Sequence, residues 1–403
     1  HSPTAHTNCR GICISFARFN IFPAMDVIEA TEGKTTFFVP VQDNREQFPP
    51  GTAPVFFNRR MELNRDATIL LLSVLKPSDY VDAMGATGVR GLRVANECGI
   101  PVTINDKDPE AIPLIQQNVT RSGLPVTVTC RDACSLLFEQ SFDAVDLDPF
   151  GTPAPFIDAG IRGCRRFLLV TATDTAPLCG AHLRAGIRRY FAHPQNTEYH
   201  SEVGLRILLA FVVRETVKYD RGIEPIFCFA REHFVRLNLR ITRGAQAADR
   251  TIAQIGFVMQ CPSCAYREEQ PGMIPDSATC PHCKKPLNPI GPLYLGKLFH
   301  DETIDQMLEQ LASCNLGTKK ELEKLLAVCH EELPLSSHYD YHHLAQSLAT
   351  SPPKIEIVLE RLRLAGYAAS RTHFSGTGLK TDAPLPALLD AIGTPGTLTK
   401  NPD

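Results

Sequence analysis

The sequence lacks any long apolar run. Its longest uninterrupted apolar stretch is residues 207–213, whereas a helix that spans a bilayer needs about 20 such residues. We therefore expect no segment to cross a membrane. The sequence also lacks a strong charge of either sign, because 41 Lys and Arg stand against 44 Asp and Glu, for a net charge of -3. Any nucleic-acid partner would have to be held by local basic patches, not by the field of the whole molecule.

A secretory signal is missing as well. Residues 1–24 carry Arg10 and Arg18 inside their only apolar stretch, which does not suit a signal peptide. We expect them to be an extension outside the fold. The 14 cysteines follow no repeating framework apart from two Cys-x-x-Cys pairs. This pattern favours reduced thiols and a cytoplasmic protein over a disulfide scaffold.

The first half of the sequence predicts an α/β fold. A chain of 403 residues is long enough for two or three domains. Short apolar runs alternate with helical patterns, as in βαβ units of a parallel sheet covered on both faces. Strands are predicted near 79–83, 101–105, 126–130, 142–147 and 166–172, with helices near 88–98, 109–121, 132–140 and 199–219. A further helix is expected within 55–76.

The apolar period changes to two between residues 224 and 241, which predicts an antiparallel hairpin turning at Arg231 and Glu232. We therefore place a domain boundary near 221–223. The predicted units are an extension (1–24), an α/β domain (25–221), an α+β C-terminal domain (222–385) and a tail (386–403). Within the C-terminal domain, residues 318–380 give three helical patterns followed by a polar hairpin, which resembles a winged helix.

A glycine-rich loop follows the first predicted strand. Asp82 ends that strand, and Gly85, Gly88 and Gly91 then lead into a helix. Glycines let the backbone turn tightly beneath a ligand at the carboxyl edge of an open α/β sheet. The spacing is G-x-x-G-x-x-G, so the dinucleotide fingerprint G-x-G-x-x-G is not met. Taken alone, the loop fits a structural turn equally well.

The next two strands also end in acidic residues. Asp106 ends the second strand, where its carboxylate can accept both hydroxyl hydrogens of a ribose. Asp132 ends the third, where it and the backbone N–H of Ala133 can contact an adenine edge. The alternative is helix N-capping by Asp132 and Asp108, which explains either acid alone but not the series. A glycine loop followed by two such acids resembles class I methyltransferases, which use S-adenosyl-L-methionine.

The fourth strand ends in Asp148-Pro149-Phe150-Gly151, which indicates transfer to an exocyclic amine. Such an amine is a poor nucleophile, so it needs an acceptor for its N–H and a fixed geometry. Asp148 supplies one acceptor, the carbonyl of Pro149 a second, and Phe150 a stacking face. Methylation of a base carbon usually requires a thiol nucleophile. Cys179, which lies downstream of this motif, is better explained as a packed residue.

Several blocks together resemble the archaeal tRNA (guanine-26-N2)-dimethyltransferase family over about residues 25–385. The blocks are Phe56-Phe-Asn-Arg-Arg-Met-Glu-Leu-Asn-Arg-Asp66, Gly85-Ala-Thr-Gly88, Asp148-Pro-Phe-Gly151, Thr173-Asp-Thr-Ala-Pro-Leu-Cys-Gly180 and Tyr199-His-Ser-Glu-Val-Gly-Leu-Arg206. The resemblance implies a cofactor pocket of Arg65, Asp82, Asp106, Asp132 and Ala133, and a guanine pocket of Phe56, Asp148, Pro149 and Phe150. Independently, the guanidinium of Arg65 could pair with the cofactor's carboxylate. The sequence departs from the family at Arg59, usually Pro, and at Gly85, often Ser.

Four cysteines have the spacing of a zinc ribbon. Cys261 and Cys264 form one Cys-x-x-Cys pair, and Cys280 and Cys283 form the other after 15 residues. Two paired knuckles at this separation predict a tetrahedral, structural Zn²⁺ site within 261–283. A redox role is disfavoured because neither pair opens a thioredoxin-like helix.

Two regions are locally basic. The stretch 181–243 holds 11 Lys and Arg against six Asp and Glu, and 352–381 holds five against two. Such regions favour a nucleic acid, and the family resemblance selects tRNA, with Arg361, Arg363 and Lys380 expected on phosphates. The alternative is that these basic regions are ordinary solvent-exposed faces of helices with no ligand. No obligate protein partner is implied.

The leading hypothesis is an enzyme that moves methyl groups from S-adenosyl-L-methionine directly to N2 of guanine 26 in tRNA, once or twice. One alternative keeps the chemistry but targets another base or RNA, such as an adenine N6 or a cytosine N4. Another is a non-catalytic, zinc-containing nucleic-acid-binding protein.

Overall fold

The computed structural model describes residues 26–41, 55–231 and 233–393. The predicted extension 1–24 and Glu232 of the predicted turn lie outside the described residues. Among the helices described, none is both long enough and apolar enough to span a bilayer.

An eight-stranded sheet forms the centre of the molecule, preceded by a hairpin of β1 (Val27–Glu32) and β2 (Thr35–Pro40). The sheet strands are β3 (Tyr80–Asp82), β4 (Val102–Asp106), β5 (Val126–Cys130), β6 (Phe142–Leu147), β7 (Cys164–Ala172), β8 (Arg221–Pro225), β9 (Phe229–Arg231) and β10 (Phe234–Arg243). Their order is β5-β4-β3-β6-β7-β10-β8, with β9 also pairing with β10. The first five are parallel, whereas β10 is antiparallel to both β7 and β8. The five strands predicted between 79 and 172 are thus present.

The predicted domain boundary near 221–223 falls inside this sheet and is wrong. Strand β8 begins at Arg221, and β10 lies between β7 and β8. The alternating pattern of 224–241 is real, but it describes an edge of the catalytic sheet, not the start of a second domain. The sequence pattern does not reveal which sheet a strand joins.

Among the described residues, nine helices surround this sheet. They are α1 (Glu62–Leu75), α2 (Val89–Arg93), α3 (Ala111–Ser122), α4 (Ala133–Glu139), α5 (Ile157–Gly163), α6 (Thr175–Leu178), α7 (Leu183–Tyr190), α8 (His200–Val217) and α9 (Ala245–Ile252). Helix α2 continues into a π-helical turn over Val94–Cys98. Every residue of β6 is buried, as expected for a strand covered on both faces. Helix α8 is buried along most of its length and packs against both the central sheet and the C-terminal elements.

The C-terminal part contains two small sheets and five helices among the described residues. The first sheet consists of β11 (Ile255–Gln260), β12 (Arg267–Pro271) and β13 (Asn288–Tyr294), in the order β12-β11-β13. The following elements are α10 (Asp301–Leu311), α11 (Lys319–Glu331), β14 (Tyr339–Asp340), α12 (Tyr341–Ser347), α13 (Ile355–Leu364), β15 (Ala369–Thr372), β16 (Ser375–Thr381) and α14 (Leu385–Gly393). The second sheet has the order β14-β16-β15.

Helix α14 corrects the predicted tail of 386–403. Its residues Leu388 and Ile392 are buried and join the core of α12, α13 and β16. The apolar spacing of this short helix therefore belongs to the fold, while residues 394–403 lie outside the described part of the chain.

Candidate active site

The glycine loop lies close against the neighbouring strand. Gly85 donates its N–H to the carbonyl of Asn105 at 2.7 Å. A Cβ at Gly85 would lie 2.5 Å from Cγ2 of Ile104, and Gly88 has φ +78. Both positions therefore favour glycine. The loop is closed from beneath by Asp82, whose Oδ2 accepts the N–H of Gly91 at 3.1 Å.

Asp82 is buried beneath this loop. Burial raises the pKa of Asp82 to about 7; the positive charge of Arg90 opposes this rise, whereas the carboxylates of Asp146 and Asp148 add to it. The carboxyl group is thus an internal support for the loop, and its expected contact with a cofactor stays a prediction.

Asp106 holds the other side of the loop. Its Oδ2 accepts the N–H of Ala86 at 2.8 Å, and its Oδ1 accepts the N–H of Asp108 at 2.9 Å. Ala86 has φ 49, a left-handed conformation that a residue with a side chain rarely adopts. Strained backbone of this kind clusters at functional sites. The loop therefore has a fixed shape beside a partly exposed carboxylate.

Asp132 is exposed and caps helix α4, since its Oδ1 accepts the N–H of Ser135 at 2.9 Å. Asp132 therefore caps α4, as the alternative expects, and its contact with an adenine stays a prediction; Ala133 is buried as the first residue of α4. Because β5, β4 and β3 are neighbours in the sheet, Asp132, Asp106 and Asp82 follow one another along one edge. The structure thus brings together the three predicted acidic strand ends.

Arg65 is buried on α1 and already has an acidic partner. Its Nε donates to Oε2 of Glu32 at 2.7 Å, and its Nη2 donates to the carbonyl of Asn58 at 3.1 Å. Glu32, at the end of β1, is a site residue that no sequence motif had indicated. The predicted contact of Arg65 with a cofactor carboxylate stays untested and would compete with this pair.

The predicted acceptor residues meet at the end of β6. Asp148 is partly buried, Pro149 is buried, and Phe150 is 68% exposed. Phe56, which precedes α1, meets Phe150 edge to face, with ring centroids 4.6 Å apart and planes at 80°. Two aromatic surfaces from distant parts of the chain therefore lie beside one carboxylate.

The loop after Phe150 is fastened to the end of β7. Gly151 donates its N–H to Oγ1 of Thr173 at 2.8 Å, and Thr173 donates its own N–H to the carbonyl of Gly151 at 3.0 Å. Gly151 has φ +79, which glycine tolerates. These contacts fix the direction in which the acceptor residues point.

Arg90 is a site residue that the sequence did not identify. It is buried on α2, and its Nη2 donates to Oδ2 of Asp148. Its Nη1 donates to Oδ1 of Asn64 at 3.1 Å and to Oγ1 of Thr68 at 2.9 Å. A guanidinium held from two sides can fix the carboxylate of Asp148 and compensate its charge. The adjacency of β3 and β6 was the only available signal, because it places α2 next to Asp148.

A second buried arginine lies behind Arg90. Arg236 of β10 makes two hydrogen bonds of 2.7 Å with the carboxylate of Asp146, which also accepts the hydroxyl of Tyr80 at 2.9 Å. Although burial opposes ionisation, the charges of Arg236 and Arg90 hold the pKa of Asp146 below its usual value. Strand β10 therefore contributes to the base of the site, which also explains why it belongs to the catalytic sheet.

Cys179 has the environment of a packed thiol. Burial raises its pKa to about 12, and the nearby carboxylate of Asp174 acts in the same direction. Because the thiolate is the nucleophilic form, this site does not favour attack on a base carbon.

The four cysteines of the predicted ribbon come together. One Sγ atom from each of Cys261, Cys264, Cys280 and Cys283 lies within 4.8 Å of all the others. The Cys261–Cys283 and Cys264–Cys280 Sγ distances are 3.2 and 3.6 Å. Thiolates around a tetrahedral zinc ion, at about 2.3 Å from it, are about 3.8 Å apart. The cluster therefore has nearly the size of such a site.

The basic residues predicted near the C-terminus have a different role from the one expected. Lys380 is fully buried, and its Nζ donates to Glu202 at 2.6 Å and lies 2.9 Å from Glu332. Its predicted phosphate contact is wrong, because the side chain of this β16 residue is enclosed against Glu202 of α8 and Glu332. Arg361 and Arg363 donate to the backbone carbonyls of Ala391 and Ala369, so their charges are partly engaged within the protein.

The strand order, the reversed β10 beside β7 and the acidic row at the sheet edge place the chain among Rossmann-like methyltransferases. The family model for N2,N2-dimethylguanosine tRNA methyltransferase matches residues 33–393. The chain therefore belongs to that family.

Relatives and a solved structure agree with this assignment. A tRNA (guanine(26)-N(2))-dimethyltransferase from Methanoregula boonei is 79% identical, over 91% of this chain and 98% of that protein. One of the same description from Methanoculleus marisnigri is 61% identical, over 90% and 98%. The structure of Trm1 from Pyrococcus horikoshii in complex with S-adenosyl-L-methionine has a TM-score of 0.83 and 35% identity, and the match covers 91% of this chain and 99% of that one.

Proposed function

We propose that the chain transfers methyl groups from S-adenosyl-L-methionine to the exocyclic N2 of guanine 26 in tRNA, giving the monomethylated and then the dimethylated base. The family and the named activity of its relatives support this assignment. The observation that carries it is the carboxylate of Asp148, held by Arg90 beside the Phe56–Phe150 pair.

Asp148 acts on the acceptor amine. The lone pair of the guanine N2 is delocalised into the ring, so the amine attacks readily only when its N–H is held by an acceptor. The carboxylate of Asp148 accepts that hydrogen, and the buried guanidinium of Arg90 keeps it in position. The carbonyl of Pro149 is a second acceptor. General acid–base assistance of this kind contributes about 10²–10⁴ in rate.

The aromatic pair positions the guanine. Phe150 is largely exposed, and its edge-to-face contact with Phe56 fixes the angle between two stacking surfaces. A base that has left its stack can lie against one of these faces. Orientation then supplies a large part of the rate, since the amine must approach the methyl group in line.

The opposite part of the sheet edge fits the cofactor. When bound, S-adenosyl-L-methionine supplies an electrophilic methyl group attached to a sulfonium. Asp106 would accept the ribose hydroxyls, Asp132 and the N–H of Ala133 would contact the adenine, and the loop of Gly85 and Gly88, supported by Asp82, would lie beneath it. Arg65 is the proposed partner of the carboxylate, in exchange for part of its contact with Glu32. These residues suit S-adenosyl-L-methionine because the three carboxyl groups of Asp82, Asp106 and Asp132 lie along one edge of the sheet beside the glycine loop.

The same residues can act twice. After one transfer the amine retains a single N–H, which Asp148 can accept once the modified base has rotated or rebound. No further catalytic group is required for the second methylation.

The C-terminal part is proposed to bind tRNA. We place the domain boundary after β10, near residue 244, so that the catalytic sheet is complete. The four-cysteine cluster is proposed to hold a structural Zn²⁺, because four thiolates leave no coordination position open. The elements from α11 to β16 have the order of a winged helix. Its exposed Lys354 is proposed to contact a phosphate backbone, and Arg371 could do so in exchange for its pair with Glu356.

Nucleoside mass spectrometry tests the proposed reaction. The protein is incubated with a tRNA transcript and methyl-labelled cofactor, and the transcript is digested. We expect labelled N2-methylguanosine and N2,N2-dimethylguanosine, and no label in a control transcript with adenine at position 26. Label on adenine or cytosine would contradict the choice of base, and complete absence of label would contradict the reaction.

A further inference from the structure

Helix α7 presents an apolar stripe to solvent. Leu183, Ile187 and Phe191 follow one another at intervals of four and are 37, 45 and 66% exposed. Arg184 and Arg188 are exposed beside them. We call these five residues the α7 face. Exposed apolar side chains that are grouped in this way mark interaction sites, whereas scattered ones do not.

The charge around this face has one sign. Residues 175–197 include three arginines and two histidines but neither Asp nor Glu. Arg189 turns inward and pairs with Asp174 at 3.0 Å. Among the described residues, Arg184 and Arg188 have no carboxylate partner. Two free guanidinium groups beside apolar side chains suit a nucleic acid, whose phosphates pair with arginine and whose bases stack on aromatic rings.

Phe191 is held in a conformation that glycine would adopt more easily. It ends α7 with φ 49 and ψ 42, and its N–H donates to the carbonyl of Ile187 at 2.9 Å. Arg214 stabilises this turn by donating to the carbonyls of Tyr190 and Phe191 at 2.7 and 3.3 Å. A bulky residue in the left-handed region is a genuine outlier. The inner face of the ring stacks on Phe211, with centroids 6.4 Å apart and planes at 23°, while the ring remains 66% exposed. The left-handed turn therefore holds the ring against Phe211 and leaves its outer face open to a ligand.

The inner side of α7 contacts the loop of residues 148–152 at the end of β6, which we call the acceptor loop. The hydroxyl of the buried Tyr190 lies 2.8 Å from Oγ1 of Thr152 and 2.7 Å from Oδ1 of Asp174. Thr152 directly follows Gly151 of the acceptor loop. A cavity of about 560 Å³, lined by Thr175, Ala181 and others, lies beside the start of α7. A strand bound to the outer side would therefore run close to the reacting guanine.

We propose that the α7 face binds the tRNA strand next to the target guanine. Arg184 and Arg188 contact its phosphates, and Phe191 stacks on a base that has lost its neighbour. The inference rests on the proposed function, because it takes tRNA as the substrate. Through Tyr190 and Thr152, the same helix that holds the strand also supports the acceptor loop.

Binding of an unmodified tRNA transcript to three variants tests this surface. Arg184→Ala/Arg188→Ala should flatten the slope of log affinity against log salt by about 1.4–1.8, as expected for two lost phosphate contacts. Phe191→Gly should weaken binding by about 5- to 150-fold with little change in that slope. Its melting temperature should change little, because the relief of left-handed strain at glycine offsets the lost contact with Phe211. The matched control, Lys76→Ala/Arg162→Ala, removes two exposed cations at the amino edge of the sheet and should leave the salt slope unchanged.

The result that would overturn the proposal is tRNA affinity and salt slope like those of the unchanged protein in both Arg184→Ala/Arg188→Ala and Phe191→Gly. A loss of affinity in Phe191→Gly that is matched by an equal loss in Phe138→Ala, an exposed aromatic of α4, would also overturn the stacking role. These failures are distinguishable from failure of the proposed function. If the proposed function were wrong, the unchanged protein would not methylate guanine 26 of the same transcript.

Discussion

Asp82 is the most deeply buried of the three acidic strand ends. Its folded pKa of about 7 lies above the ordinary 3.8 of a carboxyl group, so the folded chain binds this proton more tightly than the unfolded chain. The resulting stabilisation is fully present below pH 4 and is lost as the pH rises to 7. Asp82→Asn keeps an acceptor for the N–H of Gly91 but carries no charge. It should therefore raise the free energy of unfolding at pH 8 by up to about 4 kcal/mol.

Urea unfolding at pH 4.5 and pH 8 measures this difference. At the lower pH the two proteins should differ much less than at pH 8, because Asp82 is then still protonated in the folded state and only the unfolded chain has begun to ionise. Glu110→Gln is the control, since Glu110 is exposed and its neutralisation should change stability little at either pH. A stabilising effect of Asp82→Asn that is larger at pH 4.5 than at pH 8 would contradict the account.

The location of single residues was predictable where it follows from their place at the end of a strand. Asp106 and Asp148 could be chosen because the carboxyl ends of parallel strands meet at one edge. The surroundings of Arg90 and Lys380 could not be predicted, because the sequence does not show whether a charged side chain reaches solvent or a buried carboxylate. The family resemblance supplied Phe56, whose contact with Phe150 spans a long stretch of sequence that no local pattern connects.

Among the elements, the predicted bounds of strands and helices agree closely with the structure. The predicted assignment of strands to domains does not. The predicted strand at 126–130 has the bounds of β5, and that at 142–147 has the bounds of β6. Strand β10 was placed in the wrong domain because its alternating pattern is compatible with any half-buried sheet. Its neighbour β7 ends more than 60 residues earlier, and only the three-dimensional pairing joins them.

We expect the stability of the cysteine cluster to depend on a bound zinc ion. Structural zinc binding contributes on the order of 10–16 kcal/mol in small peptides, more than these short loops gain from apolar contacts. Cys261→Ser/Cys264→Ser should lower the zinc content and increase hydrogen exchange within 261–283. Binding of S-adenosylhomocysteine at the catalytic sheet should persist.

Elemental analysis and hydrogen exchange measure these effects. Cys130→Ser/Cys314→Ser, which changes two cysteines outside the cluster, should retain both the metal and the protection. Finding no zinc in the unchanged protein purified without chelator would contradict the proposed ribbon.

At the scale of the whole molecule, a buried charge cluster joins the catalytic sheet to the C-terminal part. Lys380 of β16 contacts Glu202 of α8 and Glu332, which follows α11. Glu202 also pairs with Arg206 at 3.0 Å and His338 at 2.8 Å. Lys380→Met leaves two buried carboxylates undercompensated, so it should lower the free energy of unfolding by about 3–5 kcal/mol.

Chemical unfolding at pH 7 measures this loss, and the salt dependence of tRNA binding should not change. Lys354→Met provides the comparison, because Lys354 is exposed in the same part of the chain and its loss should cost about 0.5 kcal/mol or less. A Lys380→Met protein with unchanged stability and a flatter salt slope would return Lys380 to the tRNA surface.

Asp148 is proposed to serve the acceptor amine and not the cofactor, and a paired measurement on Asp148→Asn distinguishes these two roles. Single-turnover methylation at saturating tRNA and cofactor is compared with calorimetric binding of S-adenosylhomocysteine. The account predicts a rate lower by about 10²–10⁴ with an unchanged dissociation constant. A near-normal rate, or a weakened cofactor complex that accounts for the whole loss, would contradict it.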